Sequence, residues 1–349
     1  MHTLVVGDGF IPADPYVSAL RERLGPDFGP VRTVDLPGDK KDQHEWQQIM
    51  EARGPNAVEP APALLSAVAG AEVLCAHFAP VGEKVLAAGD ALRLIAVART
   101  GLENVDVDAA TARGVGVVPV YGRNAGAVAE LQIGLMLAEA RNIARADASV
   151  RSGGWRKDFP GARIEIAGRT VGMVGFGHVG AQFARRLAGF GCRLIAYDPY
   201  TSPAALAEHG VEQVSTLDEV FASSDFVVVQ ARHTPETDTF IGAAQFALMK
   251  PHAYFINVAR SRVVDTDALH GVLAAGRIAG AGLDVFDAEP LPADSPWRGL
   301  DNTTLTTHFG GDTEETNLTS ARLVVEAVAE YAATGRVASG ANAKALGWT

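Results

Sequence analysis

The sequence predicts an α/β protein built on two doubly wound parallel sheets. Three observations carry that expectation. Short apolar runs alternate with helix-like stretches along most of the 349 residues, the order that builds strand–helix–strand units. Several runs are apolar at consecutive positions, as strands covered by helices on both faces are. A glycine-rich turn joins one such run to one helix, the junction at which these sheets bind nucleotides. The composition agrees, with 48% apolar and 20% charged residues, the profile of a globular chain long enough to bury a core without staples.

Along the chain, the apolar runs at 3–6, 73–76, 94–97, 115–118, 170–174, 193–197, 226–230, 253–257, 280–284 and 303–306 read as strands. Helical stretches fall between them, at 62–69, 83–88, 179–189, 204–209 and 266–275. The segment 123–151 has no proline, is rich in Ala, Leu, Met and Glu, and places Val128, Leu131, Leu135 and Ala138 at helical spacing. One long helix is expected there, ended by Ser152-Gly153-Gly154. A second is expected at about 313–334, with Asp312 and Glu315 as capping box and Gly335 as stop. Residues 25–37, rich in Pro and Gly, and the polar stretch 38–60 read as variable surface structure. No short period repeats, which argues against a solenoid.

Several classes are disfavoured. A net charge of −11 gives no broad basic face for nucleic acid. No apolar run approaches the roughly 20 residues of a membrane span. Residues 1–6 lack the basic start and long apolar stretch of a signal peptide. Cys75 and Cys192 lie far apart and are expected to be buried thiols in a reducing, cytoplasmic setting. With no His-x-x-x-His and no cysteine pair, no metal site is expected.

The glycine turn carries the first chemistry. Gly175, Gly177 and Gly180 form G-x-G-x-x-G between a predicted strand and a predicted helix. The first glycine permits a tight turn, the second lets backbone approach a pyrophosphate, and the third lets helix pack on strand. The helix start, with His178 and Val179, offers free N–H groups to phosphate. Asp198 ends the next strand, 18 residues beyond Gly180, near the spacing of about 20 for a carboxylate on the adenosine ribose. A carboxylate there repels a 2′-phosphate, so NAD is favoured over NADP.

Three strand ends in the last third carry a second set. They are Asn257-Val258-Ala259-Arg260, Asp284 through Glu289-Pro290, and His308-Phe309-Gly310-Gly311. Reducing a 2-oxo acid needs a hydride and a proton on the nascent alkoxide. A histidine suits the proton transfer, which assigns His308. A carboxylate beside it stabilises the charged ring and fixes its tautomer, which assigns Glu289. A guanidinium grips the substrate carboxylate and polarises the carbonyl, which assigns Arg260.

These residues, with Val128-Ala129-Glu130 and Thr234-Pro235-Glu236-Thr237, make the chain resemble the D-isomer-specific 2-hydroxy acid dehydrogenases, in their phosphoglycerate dehydrogenase-like branch, from about residue 73 to 332. The resemblance implies Arg260 as substrate anchor, Glu289 as partner and His308 as proton donor or acceptor. It also implies NAD contacts at His178, Val179, Asp198, Thr234, Val258, Ala259, Arg260, Asp284 on the nicotinamide side, His308, Phe309, Gly310 and Gly311. It implies a Rossmann NAD domain at 121–311, carrying a long dimerisation helix 123–151, inserted into a flavodoxin-like substrate domain made of 1–120 and 312–349. A hinge that closes on the small-molecule substrate and a homodimer formed through the long helix follow from the same resemblance.

Some residues depart from the family pattern. Val229-Gln230-Ala231-Arg232-His233 stands where Leu-His-x-Pro-Leu is common. The first-domain loop reads Cys75-Ala76-His77-Phe78-Ala79-Pro80 in place of Arg-Ser-x-Thr. The glycine-rich carboxylate loop reads Arg99-Thr100-Gly101-Leu102-Glu103-Asn104 and keeps one of its usual glycines. His77, Arg99, Thr100 and Gly101 are the candidate substrate contacts, and the acid is expected to be a hydroxy or polyhydroxy acid, sugar-derived or phosphorylated. The chain end, soon after the second helix, is expected to leave no regulatory domain and no serine-type feedback. A dinucleotide-binding regulator on the same fold is the alternative from another class, and Arg260, Glu289 and His308 favour the enzyme. A formate dehydrogenase-like enzyme is disfavoured because that branch has Gln at the place of Glu289.

Overall fold

The computed structural model describes residues 1–161 and 163–349. The chain forms two compact units, Met1–Arg123 with Thr313–Thr349, and Asn124–Asp312. The first unit holds one sheet of five strands: β1 (Thr3–Gly7), β2 (Val31–Asp35), β3 (Val73–Ala76), β4 (Leu94–Val97) and β5 (Gly116–Pro119). All neighbours pair in parallel, in the order β2-β1-β3-β4-β5, the flavodoxin-like order of a doubly wound sheet. Alternate residues face opposite layers. Val5, Val73 and Leu94 meet Tyr16, Leu20, Val324 and Val328 of the helices Ala13–Leu24 and Glu314–Thr334. Leu4, Leu74 and Ile95 meet Leu64, Val68 and Val85 on the other face.

The second unit holds seven strands: β6 (Thr170–Val174), β7 (Arg193–Tyr197), β8 (Val211–Gln213), β9 (Phe226–Val229), β10 (Tyr254–Asn257), β11 (Gly280–Leu283) and β12 (Thr303–Leu305). The order is β12-β11-β10-β9-β6-β7-β8, again parallel throughout. This is the Rossmann order with one strand added at the edge, and the strand order reverses between β6 and β9. Met173, Val228 and Ile256 pack on Leu135, Met136, Phe183 and Leu187, while Ile195, Val227 and Phe255 pack on Phe221, Phe246 and Leu269. A fully buried side chain of this size contributes roughly 1.5–3 kcal/mol against about 1 kcal/mol for a neutral hydrogen bond. Apolar faces therefore hold the helices on the sheet, and the ladder sets strand direction. Among the described residues no helix is long and apolar enough to cross a membrane.

The ten strands expected from the sequence are all present, each end within one residue of its expected place. Two edge strands, β2 and β8, were not anticipated. Their exposed positions carry polar residues, as in Val31-Arg32-Thr33-Val34-Asp35, so neither shows an apolar run. The stretch 38–60 contains the helix Lys40–Arg53, closed by an Asp39–Asp42 capping box and burying only Gln43 and Met50. The helices Ala13–Leu24, Val107–Ala112, Leu217–Ser223 and Ala243–Leu248 also went unpredicted. The single helix expected over 123–151 is two helices, Ala125–Arg141 and Ile143–Arg151. Asn142 separates them in the left-handed conformation, φ 55° and ψ 38°, which Asn adopts at lower cost than most residues. The helix Glu314–Thr334 is capped by the Thr313 hydroxyl, which accepts from the Thr316 N–H at 3.1 Å, in place of the expected Asp312–Glu315 pair. Cys75 is buried as expected, but Cys192 is half-buried.

One buried ion pair spans the break at Asn142. Glu139 is 1% exposed, and the Arg145 guanidinium lies 2.7 Å from its carboxylate. The Thr304 hydroxyl on β12 donates to the same carboxylate at 2.5 Å, and Arg145 also donates to the Asp301 carbonyl. Burial raises the Glu139 carboxyl, a shift that Arg145 and Thr304 oppose. Removing one partner of such a pair costs about 3–5 kcal/mol, so Arg145→Met should lower the urea midpoint by that equivalent near neutral pH. A raised folded value means that protonation favours the folded state. The deficit should thus be smallest below the ordinary value of 4.5 and grow as pH rises through the raised one. A deficit independent of pH would contradict this account.

Candidate active site

At the end of β6 the chain turns at Gly175, with φ +91°. A Cβ there would lie 2.9 Å from the Ala231 backbone nitrogen, so the left-handed turn and the close approach to the chain leaving β9 both require glycine. Gly177 is the N-cap of the helix His178–Leu187, and no side chain caps it. A Cβ on Gly177 would meet nothing within 4 Å, which leaves the free N–H groups of His178, Val179 and Gly180 facing open space. A Cβ on Gly180 would stand 2.8 Å from the Phe176 ring, so this glycine is needed for packing. An uncapped helix start behind an unobstructed glycine fits an anionic group such as a diphosphate.

Asp198, one residue past β7, accepts from the N–H groups of Tyr200 at 2.8 Å and Thr201 at 2.9 Å on one oxygen. Its other oxygen accepts from Phe176 N–H, inside the glycine turn, at 2.7 Å. Each carboxylate oxygen has two lone-pair directions, so one remains for a ribose hydroxyl. Past β9, Thr234 and Thr237 close a short turn, with Thr234 N–H donating to the Thr237 hydroxyl at 2.8 Å. His233 lies 2.7 Å from Asp238, which Arg262 also meets at 3.1 Å.

The next three loops follow adjacent strands, β10, β11 and β12, and so lie side by side at the carboxyl edge. Asn257 ends β10, and its side chain ties the turn behind it. Its oxygen accepts from Ala259 N–H at 3.0 Å, and its amide donates to the Arg260 carbonyl at 3.0 Å. Arg260 is exposed and donates to the Ala259 carbonyl at 2.7 Å through one nitrogen, leaving the rest of its fork available. His308, past β12, holds φ 56°, a region His enters more readily than bulky or β-branched residues do. Its Nδ1 lies 2.7 Å from the Glu289 carboxylate, and the other Glu289 oxygen accepts from Phe286 N–H at 2.9 Å. With Nδ1–H committed to a carboxylate, Nε2 is the nitrogen left for a substrate.

Asp284, expected on the nicotinamide side, is 1% exposed. It accepts from the Thr306 hydroxyl at 2.6 Å, Phe309 N–H at 3.2 Å and Gly310 N–H at 2.9 Å, and so fixes the turn that carries His308. Gly310 packs against that carboxylate and Gly311 against the Asn124 side chain. The positioning roles of Asn257, Thr306 and Asn124 escaped the sequence reading. An Asn or Asp at a strand end just before a tight turn is the signal that could have flagged the first.

The first unit holds the four candidate substrate contacts, each engaged within that unit. His77 is 2% exposed, with Nδ1 at 3.2 Å from Asp8 and its ring 3.8 Å from that of Phe78. Burial pulls this imidazole down, with Asp8 opposing. Burial pushes Asp8 the other way, but His77 and the N–H groups of Phe10 and Ile11 bring it below the usual carboxylate range, so the pair reads as a neutral ring on an ionised acid. The Arg99 guanidinium lies 3.2 Å from both Glu51 and Glu103. Thr100 donates its hydroxyl to the Val120 carbonyl at 3.0 Å, and the Glu103 carboxylate covers Gly101. Among the described residues no group of three or more His, Cys, Asp or Glu is placed to hold a metal ion.

Comparison with known proteins follows the same lines. Residues 133–310 match the family described as D-isomer specific 2-hydroxyacid dehydrogenase, NAD binding domain. The chain is 44% identical over 267 residues to a D-3-phosphoglycerate dehydrogenase of Mycobacterium tuberculosis, a match covering 76% of this chain and 50% of that protein. The chain thus spans about half the length of that relative. It is 39% identical over 258 residues to a glyoxylate reductase of Thermococcus litoralis, covering 72% and 77%. The apo-structure of D-lactate dehydrogenase from Escherichia coli superposes with a TM-score of 0.68 at 26% identity, covering 97% of this chain and 98% of the other.

Proposed function

The chain belongs to the D-isomer specific 2-hydroxyacid dehydrogenase family, and from that premise we propose that it interconverts a D-2-hydroxy acid and its 2-oxo acid with NAD. The observation that carries the reading is the 2.7 Å contact between His308 Nδ1 and Glu289, which joins the loop after β12 to the loop after β11, next in strand order to the loop that presents the exposed Arg260. The bound nicotinamide supplies the hydride in reduction and takes it in oxidation. Arg260 holds the substrate carboxylate through its fork and draws electron density from the adjacent carbonyl. In reduction, protonated His308 gives its Nε2 proton to the oxygen that becomes the hydroxyl. It is left neutral, with Nδ1–H still directed at Glu289. In oxidation the same Nε2 takes the hydroxyl proton, and Glu289 stabilises the imidazolium that forms.

His178, Val179 and Gly180 hold the cofactor phosphates by backbone N–H groups, and Asp198 takes a ribose hydroxyl, which selects NAD over NADP. Thr234, Val258, Ala259, Asp284, Phe309, Gly310 and Gly311 complete the cofactor contacts. The second helix of the broken pair, Ile143–Arg151, buries no residue in its own unit. Ile143 at 53%, Val150 at 54% and the following Trp155 at 77% exposure form an apolar strip that a second copy covers, giving a homodimer.

His308→Ala should lower kcat by about 10²–10⁴-fold, the usual contribution of a general acid, while still binding NADH. Glu289→Gln should cause a smaller loss, and Arg260→Lys, which lacks the fork, should raise KM for the 2-oxo acid. Full turnover in His308→Ala would contradict the assignment, as would a wild type that binds NADH and reduces no member of a 2-oxo acid panel. Sedimentation equilibrium should return twice the chain mass, and Trp155→Asp with Val150→Asp should shift it towards monomer. A wild type that sediments as monomer at micromolar concentration would contradict the dimer.

A further inference from the structure

The segment after β9 departs from the family pattern, and the departure puts a cation beside the glycine turn. We propose that Arg232 is a cofactor-contacting residue whose guanidinium meets the diphosphate of the bound dinucleotide. The inference rests on the dinucleotide reading of Gly175–Gly177–Gly180 and adds to it a residue outside that motif.

β9 pairs with β6 across the point where the strand order reverses, Val174 opposite Val229, and Gln230 N–H donates to the Val174 carbonyl at 2.9 Å. Ala231 then lies against Gly175, so close that a Cβ on Gly175 would stand 3.0 Å from the Ala231 Cα. Arg232 is the next residue. Its backbone is fixed by the Thr237 hydroxyl, which donates to its carbonyl at 2.7 Å. The side chain therefore starts one residue from the turn that approaches the phosphates, at the switch point where open α/β sheets bind ligands.

Arg232 is exposed and makes no ion pair or side-chain hydrogen bond among the described residues. Its neighbours on the same edge are committed. Arg262 meets Asp238 at 3.1 Å, and that carboxylate also holds His233 at 2.7 Å. Arg260 bonds the Ala259 carbonyl and belongs to the substrate. On the helix side the first residue is His178, whose imidazole carries a full charge only when protonated. A diphosphate has two negative charges, and the helix start answers with partial charge alone. A guanidinium is always charged, and its fork suits phosphate oxygens.

The test is a binding series with the full chain. NADH, ADP-ribose and adenosine are titrated against wild type, Arg232→Gln and Arg232→Lys by calorimetry, at low and high salt. Arg232→Gln should bind NADH and ADP-ribose about tenfold more weakly, the order expected for one charge-assisted contact to phosphate, and should bind adenosine as wild type does. Its NADH affinity should also fall less steeply with salt, and Arg232→Lys should recover part of the loss. Equal NADH affinity in wild type and Arg232→Gln would overturn the proposal. So would an equal loss for adenosine, which would make Arg232 a nucleoside contact. A wild type that binds no NADH would instead remove the dinucleotide reading on which the proposal stands.

Discussion

Asp284 lies almost wholly out of solvent at the end of β11, and three donors from residues 306–310 converge on its carboxylate. Leaving such a group buried without partners would cost several kcal/mol, so the chain after β12 has to bring those donors in. Satisfying Asp284 thereby dictates the path of the turn that carries His308. The turn is tight enough to hold His308 at φ 56°, which costs an L residue roughly 1–2 kcal/mol. Hydrogen bonds to a charged acceptor contribute about 1.5–3 kcal/mol each, so three of them outweigh the strain. The ring then stands within hydrogen-bond distance of Glu289, and the His308–Glu289 contact is a consequence of where a different carboxylate is buried.

The same device recurs at other strand ends. Asp198 gathers the N–H groups of Tyr200, Thr201 and Phe176 and so joins the loop after β7 to the glycine turn after β6. Asn257 ties both ends of the turn that presents Arg260. In the first unit, Asp8 accepts from Phe10 and Ile11 just past β1. A parallel strand leaves its last backbone groups without a ladder partner, and a short acid or amide at that place supplies one. In the second unit, three strand-end loops are thus held by one short acid or amide each, Asp198, Asn257 and Asp284.

The core strands were legible because burial on both faces leaves no room for polar residues, so runs such as 170–174 and 226–229 announce themselves. β2 and β8 were not, because an edge strand with one wet face carries Arg32, Thr33 or Glu212 and loses the signal. Lys40–Arg53 failed for a related reason, since a helix that buries only Gln43 and Met50 has almost no apolar stripe. The break at Asn142 was invisible to a propensity summed over a window, because one residue in the left-handed region interrupts a segment that is otherwise helical throughout. For the site, residue types and spacing pointed to Arg260, Glu289, His308 and the three glycines. The bonds of Asp284 to Thr306, Phe309 and Gly310 were not readable, because they join positions 22 to 26 residues apart through sheet order. The first-unit loops were the hardest case. That Glu103 covers Gly101 and that His77 is turned onto Asp8 are packing outcomes with no local sequence mark.

The proposed reaction passes hydride between the nicotinamide and C2 of a 2-oxo acid. Isotope tracing tests it most directly. With NADH carrying deuterium at both C4 positions, a panel of 2-oxo acids and ordinary water, NMR should find one deuterium at C2 of the product. That carbon should have D configuration wherever it is stereogenic. Product with no deuterium at C2, or with deuterium and no stereochemical preference, would contradict it.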